Sequence, residues 1–162
     1  MTRLLFDRSL RVPQTKLVYR PDDYAFSAEP RPHNRSSSVL VNDLELIVDG
    51  PGGQVVLVEG YCPYQSWAVA RLAPPASERA GLRVAGVEFL PGVANELDDP
   101  RTRDWPVSVD PESGWLCIGD RTARHQGVEF APGCVAVLDG ETLVALWLRP
   151  ASLPPSVMDL KA

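Results

Sequence analysis

GVEFAPGCVAVLDGETLVALWL, residues Gly127–Leu148, reads as three strands joined by two tight turns. Val128 and Phe130 alternate with Glu129, so an extended backbone here shows apolar groups to one face and a carboxylate to the other. Pro132-Gly133 follows, a pair suited to positions i+1 and i+2 of a type II turn, where a fixed negative φ precedes a positive one. Cys134 to Leu138 and Leu143 to Leu148 then flank Asp139-Gly140, the strongest short hairpin signal in the chain. Both arms of this hairpin are apolar on both faces. Such strands are either central and covered or form an oligomer interface, so 134–148 is the segment through which a homo-oligomer would assemble.

The first part of this stretch occurs twice. Gly86-Val87-Glu88-Phe89-Leu90-Pro91-Gly92 matches Gly127-Val128-Glu129-Phe130-Ala131-Pro132-Gly133, and each copy is followed by Leu-Asp, at Leu97-Asp98 and Leu138-Asp139. The repeat predicts two strand-turn-strand units. Two copies are too few for a solenoid or a propeller. Cys134 aligns with Val93, which suits a small buried hydrophobe better than a reactive thiol. Asn95 and Glu96 stand where the second copy has Ala136 and Val137, so the second strand of copy one should be exposed and that of copy two covered.

The same grammar extends outward. Leu44, Leu46 and Val48 alternate with Glu45 and Ile47, and Val55 to Glu59 resumes after the glycine-rich Asp49 to Gly53. Trp67 to Leu72 reads as a strand after a bend at Pro63, and Val84 to Leu90 as another. Val107 to Val109 and Trp115 to Gly119 flank the turn residues Asp110 to Gly114. Only 76–82 looks like a short helix. Sheets without helices must pack on one another or close on themselves. The expectation is therefore an all-β, single-domain sandwich or barrel over residues 1–150, of about ten strands with at most one short helix. Residues 27–38, with His33, read as an exposed loop and 151–162 as a C-terminal tail.

Composition narrows the function classes. The chain has 162 residues, 44% hydrophobic and 23% charged, with net charge −5. An acidic chain lacks the concentrated basic surface that phosphate neutralisation needs, which argues against nucleic acid. No apolar run fits a secretory signal or a membrane span. Cys62, Cys117 and Cys134 are odd in number and without CxxC or Cys/His spacing, pointing to reduced thiols and no metal. Of sixteen basic residues only Lys16 and Lys161 are lysine, which with the Ala, Gly and Pro content reads as a GC-rich bacterial genome. A bacterial, cytoplasmic protein is expected.

Three groups of side chains are candidates for a site. Tyr61, Tyr64 and Trp67 surround a bend and combine apolar bodies with polar tips, the chemistry of pockets and interfaces. The plainer reading has them capping the core, and Trp105 and Trp115 are candidates to join them. Gly119 to His125 is the densest polar segment. There His125 with Asp120 would serve as a base and its orienting carboxylate, and Arg121 with Arg124 would hold an anion. The plainer reading is a solvated loop. Glu88 and Glu129, matched by the repeat, would be paired carboxylates only if they shared a cleft, and their alternation places them outward instead.

No phosphate loop, nucleophile elbow, HExxH or dinucleotide fingerprint occurs, and no cofactor is implied. The expectation is a non-catalytic protein-interaction module of the immunity, inhibitor or accessory type, partnered by another protein. The alternatives are a small-molecule-binding barrel and a metal-independent acid/base enzyme using His125 and Asp120.

Overall fold

Most strands follow the runs of apolar alternation, and several of the turns between them are made by glycine, proline or asparagine. In chain order they are β1 (Arg3–Asp7), β2 (Lys16–Arg20), β3 (Ala25–Glu29), β4 (Ser37–Val41), β5 (Leu44–Asp49), β6 (Gln54–Tyr61), β7 (Ala68–Val69) and β8 (Ser77–Arg79). There follow β9 (Gly81–Ala85), β10 (Val93–Glu96), β11 (Val107–Val109), β12 (Leu116–Gly119), β13 (Gln126–Ala131), β14 (Cys134–Asp139) and β15 (Thr142–Leu148), then a single helical turn α1 (Pro155–Met158). The structure is a computed structural model and describes residues 1–30, 37–50 and 52–160.

Two sheets result. The larger runs β1-β9-β6-β5-β4-β10, with the β2–β3 hairpin attached through β3 to the end of β6; the smaller runs β7-β11-β12-β15-β14-β13-β8. The protein is an all-β sandwich whose larger sheet curls far enough for its outer strands to meet. Thr2, before β1, donates its hydroxyl to the Glu96 carbonyl of β10 at 3.1 Å. The Leu4 amide of β1 reaches across to the Glu141 carbonyl of the other sheet at 3.0 Å. Between the sheets lies one apolar core, in which Leu4, Leu46, Val58, Ile118, Phe130 and Leu146 are fully buried.

The turns behave as their residues demand. Ala131 pairs with Cys134 across Pro132-Gly133, and Gly133 takes φ +75°. The Val93 amide returns to the Leu90 carbonyl across Pro91-Gly92, with Gly92 at φ +77°. The copies differ before the turn. Gly127–Ala131 is strand, whereas Gly86, at φ +83°, bends the chain out of β9 and no strand forms over 86–90. After the turn, β10 lies exposed at the rim of the larger sheet and β14 is buried at the centre of the smaller one.

Four expectations need correction. Residues 76–82 are not helical. Ser77–Arg79 pairs in parallel with β13 at the sheet rim, Ala80 is buried, and Leu82 and Val84 face the core with period two. Among the described residues the one α-helical turn is α1 instead. Residues 27–38 are not simply a loop: Ala28 is buried within β3, and Ser37 and Ser38 are buried within β4. Residues 31–36, with His33, lie outside the described residues. The segment from 151 is not a free tail, because the Ala151 amide bonds the Leu17 carbonyl at 2.9 Å and Leu153 and Val157 join the core. The strands number fifteen among the described residues, the additional ones being two to five residues long.

The two-sided hairpin β14–β15 is central and covered. Its outward residues Val135, Val137, Ala145 and Trp147 pack with Leu72, Cys117 and Ala123, and Trp147 is fully buried. The cover is the strap Ala70–Pro75, which leaves β7 and crosses this face. Asp110 holds it: Oδ2 accepts from the Leu72 amide at 3.0 Å and Oδ1 from the Glu112 amide at 3.0 Å. The face offered in the sequence as an oligomer surface is thus occupied by the chain's own backbone.

Candidate functional site

The bend after β6 divides its aromatics into an inner and an outer set. Tyr19, Phe26 and Trp67 form the inner set: Tyr19 meets Phe26 and Trp67 edge-on, each with centroids 4.9 Å apart. The Tyr19 hydroxyl donates to the Cys62 carbonyl at 2.7 Å, and burial, with Cys62 and the tyrosines beside it, pushes its pKa well above the ordinary tyrosine range. The Trp67 indole N–H is buried without a hydrogen-bond partner among the described residues. Burial raises the Cys62 thiol to about 11, so it stays protonated and unreactive at neutral pH. Trp67 therefore caps the core.

Tyr24, Tyr61 and Tyr64 form the outer set. Tyr24 stands at a positive φ of 53° after the 3-10 turn Pro21–Asp23, and its carbonyl accepts the Cys62 amide at 2.8 Å. That contact fixes the turn against the bend and brings the Tyr24 ring to 6.5 Å from Tyr61 and 5.8 Å from Tyr64. Tyr61 is 51% exposed and Tyr24 38%, so both rings present surface to solvent side by side.

Beside Tyr61 a groove of about 430 Å³ opens at the end of the sandwich, with Asn42, Asp43, Arg103, Asp104 and Trp105 along its other side. Asn42 builds that side. It sits at φ 52° in the β4–β5 turn, donates Nδ2 to the Trp105 carbonyl at 3.0 Å and accepts the Trp105 amide on Oδ1 at 2.7 Å. This two-point bond pins the segment before β11 against the hairpin of the other sheet. Arg103 is ion-paired with Glu96.

The structure thus brings Tyr61 and Tyr64 together and adds Tyr24, Asn42 and Trp105, while Trp115 goes elsewhere. Trp115 packs edge-on against Trp147 at 6.3 Å, with the Arg149 guanidinium 5.9 Å from its ring, on the strap-covered face. Asn42 and Tyr24 were not singled out in the sequence. A turn residue and a lone tyrosine carry no local signal; only the topology brings them to the bend.

The Gly119 to His125 segment is built as a self-bonded loop. Asp120 Oδ1 accepts the Thr122 hydroxyl at 2.6 Å and the Thr122 amide at 2.9 Å. These bonds, with His125 a lesser influence, hold the carboxyl below the ordinary aspartate range. No hydrogen bond joins Asp120 to His125, whose Nε2 lies 3.9 Å from Asp139 in an exposed pair. Arg124 donates to the Arg121 and Ala123 carbonyls at 3.1 Å, closing the loop, and Arg121 is exposed. Glu129 pairs with Arg79 at 2.8 Å and Glu88 is exposed. Among the described residues no group of three or more His, Cys, Asp or Glu side chains is placed to hold a metal, and no helix is long and apolar enough to cross a membrane.

The chain matches no family model, no curated protein and no solved structure.

Proposed function

We propose that the protein is a non-catalytic binding module of the bacterial cytosol, of the immunity, inhibitor or accessory type, and that it engages another protein through its tyrosine-bearing end. The observation that carries this reading is the exposed Tyr24–Tyr61 pair at the lip of the groove. Tyrosine is enriched at protein interfaces and in their energetic centres, because it supplies a large rigid surface with one polar tip at little entropic cost. Here the Tyr24 ring is braced by Tyr64, and the Tyr24–Cys62 backbone bond fixes the turn that carries it beside Tyr61, so little ordering remains to be done on binding. The three buried thiols and the acidic balance fit a reducing cytosol.

Tagged wild-type protein and a Tyr24→Ala/Tyr61→Ala variant are compared as bait, and each retained protein is purified and titrated against both. A partner that binds wild type and loses at least roughly tenfold in affinity with the variant supports the reading, two interface tyrosines being worth more than about 1.4 kcal/mol together. A partner that binds both equally assigns the interface elsewhere and overturns it.

A further inference from the structure

The carboxylates around the tyrosines stand without a counter-charge. Several others on the surface are matched, Glu29 by Arg20 at 2.7 Å, Glu78 by Arg8 at 2.6 Å, Glu129 by Arg79 at 2.8 Å and Asp99 by Arg101 at 2.7 Å, while Asp49, Glu88, Glu112 and Asp159 are exposed and, among the described residues, unpaired. At the tyrosine end Asp22 and Asp23 immediately precede Tyr24, and Asp43 and Asp104 line the groove with Tyr61. All four are exposed, and among the described residues none of their carboxylates takes part in an ion pair or a hydrogen bond. Among the described residues the one cation lining the groove, Arg103, is paired with Glu96.

We infer that the groove receives a basic side chain, arginine or lysine, from an exposed loop of the partner; this rests on the binding-module reading above. The groove offers what such a side chain needs. Its apolar stem finds Pro63, Val107 and the ring edges, its head finds the Asp43 and Asp104 carboxylates, and the Tyr61 and Trp105 rings supply faces toward which a cation is drawn. Asp22 and Asp23 extend the same potential beyond the lip, favouring encounter with a basic surface and repelling an acidic one. An anionic ligand would meet two unmatched carboxylates in the groove, two more beside Tyr24 and, among the described lining residues, no unpaired cation.

The probe is N-acetylarginine amide, titrated into the full chain and followed by backbone and indole N–H chemical shifts. N-acetylcitrulline amide, of the same shape without the charge, is the control. The expected result is a saturable shift at Tyr61 and at the Trp105 indole, with affinity weakened roughly fivefold or more for citrulline and for an Asp43→Asn/Asp104→Asn variant. Both substitutions are exposed and nearly isosteric, so an unchanged spectrum of the free variant verifies its fold. An Asp22→Asn/Asp23→Asn variant should bind more weakly than wild type but more tightly than the groove variant. Equal response to citrulline, shifts centred away from the groove, or indifference to the groove variant would each overturn the inference.

The two readings fail separately. A protein partner lost with the tyrosine variant, while the arginine probe stays silent, leaves the module intact and removes the basic side chain. Saturable probe binding with no protein dependent on the tyrosines removes the docking of a partner.

Discussion

Two glycines in matching turns separate two costs that usually come together. Gly92 and Gly133 both follow proline at nearly the same positive φ, 77° and 75°. A methyl group on Gly92 would meet nothing within 4 Å, whereas on Gly133 it would stand 2.6 Å from the Arg149 carbonyl. Gly92→Ala should therefore lose about 1–2 kcal/mol for left-handed backbone alone. Gly133→Ala should lose clearly more, roughly 3 kcal/mol or above, because a backbone oxygen next to β15 must also move. Denaturant midpoints of the two variants check this, and equal losses would show that the 131–134 turn relaxes freely. The identity of these turns was legible from Pro-Gly alone. The steric half of the Gly133 cost was not, since Arg149 is brought to it only by pairing. The same holds at the site: Tyr61 announces itself by its polar-tipped aromatic neighbours, but Asn42 and Trp105 reach it through a bond between residues 63 positions apart.

Elements whose partners are their chain neighbours were readable: β5 with β6, and β13 with β14 and β15, carry their alternation and turns in one continuous run. The segment Ala76–Ala80 misled because its composition suits a helix, while its structure is set by β13, some fifty residues on, with which it pairs in parallel. The strap Ala70–Pro75 was likewise misread: the strand expected over Trp67 to Leu72 ends at Val69, and beyond it the chain is held by one decisive anchor, Asp110. Burial alone would raise the Asp110 pKa, but the Leu72, Glu112 and Ser113 amides aimed at its carboxylate outweigh this and bring it below the usual aspartate value. A group depressed in the folded state contributes stability that is complete above its unfolded value, near about 4, and is lost as pH falls through its folded value. The strap should hold at neutral pH and loosen only in acid. Asp110→Asn, which removes the charge and points an amide at backbone donors, should cost roughly 2 kcal/mol at pH 7. It should also flatten the part of the stability–pH curve below about pH 4 that belongs to Asp110. Denaturant unfolding of both proteins between neutral and acid pH reads both effects. Parallel curves would show that another carboxylate anchors the strap.

Stability across the sandwich should be unequal, since its parts are closed by different means. The inter-sheet core is sealed on several sides at once, with the curled sheet fastened through Thr2 and Glu96, β1 tied to the Glu141 carbonyl, and α1 folded onto the β2 side. The outer face of the smaller sheet is closed by the strap and by Ala123 of the 119–125 loop, and the tyrosine end by the 3-10 turns Pro21–Asp23 and Tyr64–Ser66 and the Asn42–Trp105 bonds. Regions held by few contacts open locally, at free energies below that of global unfolding. The three cysteines happen to sample these regions: Cys134 in the inter-sheet core, Cys117 under the strap and Cys62 behind the tyrosines. All three thiols are pushed up by burial, Cys62 to about 11 and Cys117 to about 12, so each reacts only once its surroundings open. In single-cysteine variants thiol labelling at neutral pH should be slowest at Cys134, with a protection that equals the global unfolding free energy and falls with denaturant at the full m-value. Cys117 and Cys62 should label faster and with a shallower denaturant dependence. Asp110→Asn should accelerate Cys117 more than it accelerates Cys62, because the strap covers only the first. Identical protection at all three positions would mean that strap, tyrosine end and core open as one unit. In that case the tyrosines are as rigid as the core and any partner meets a fully preformed surface.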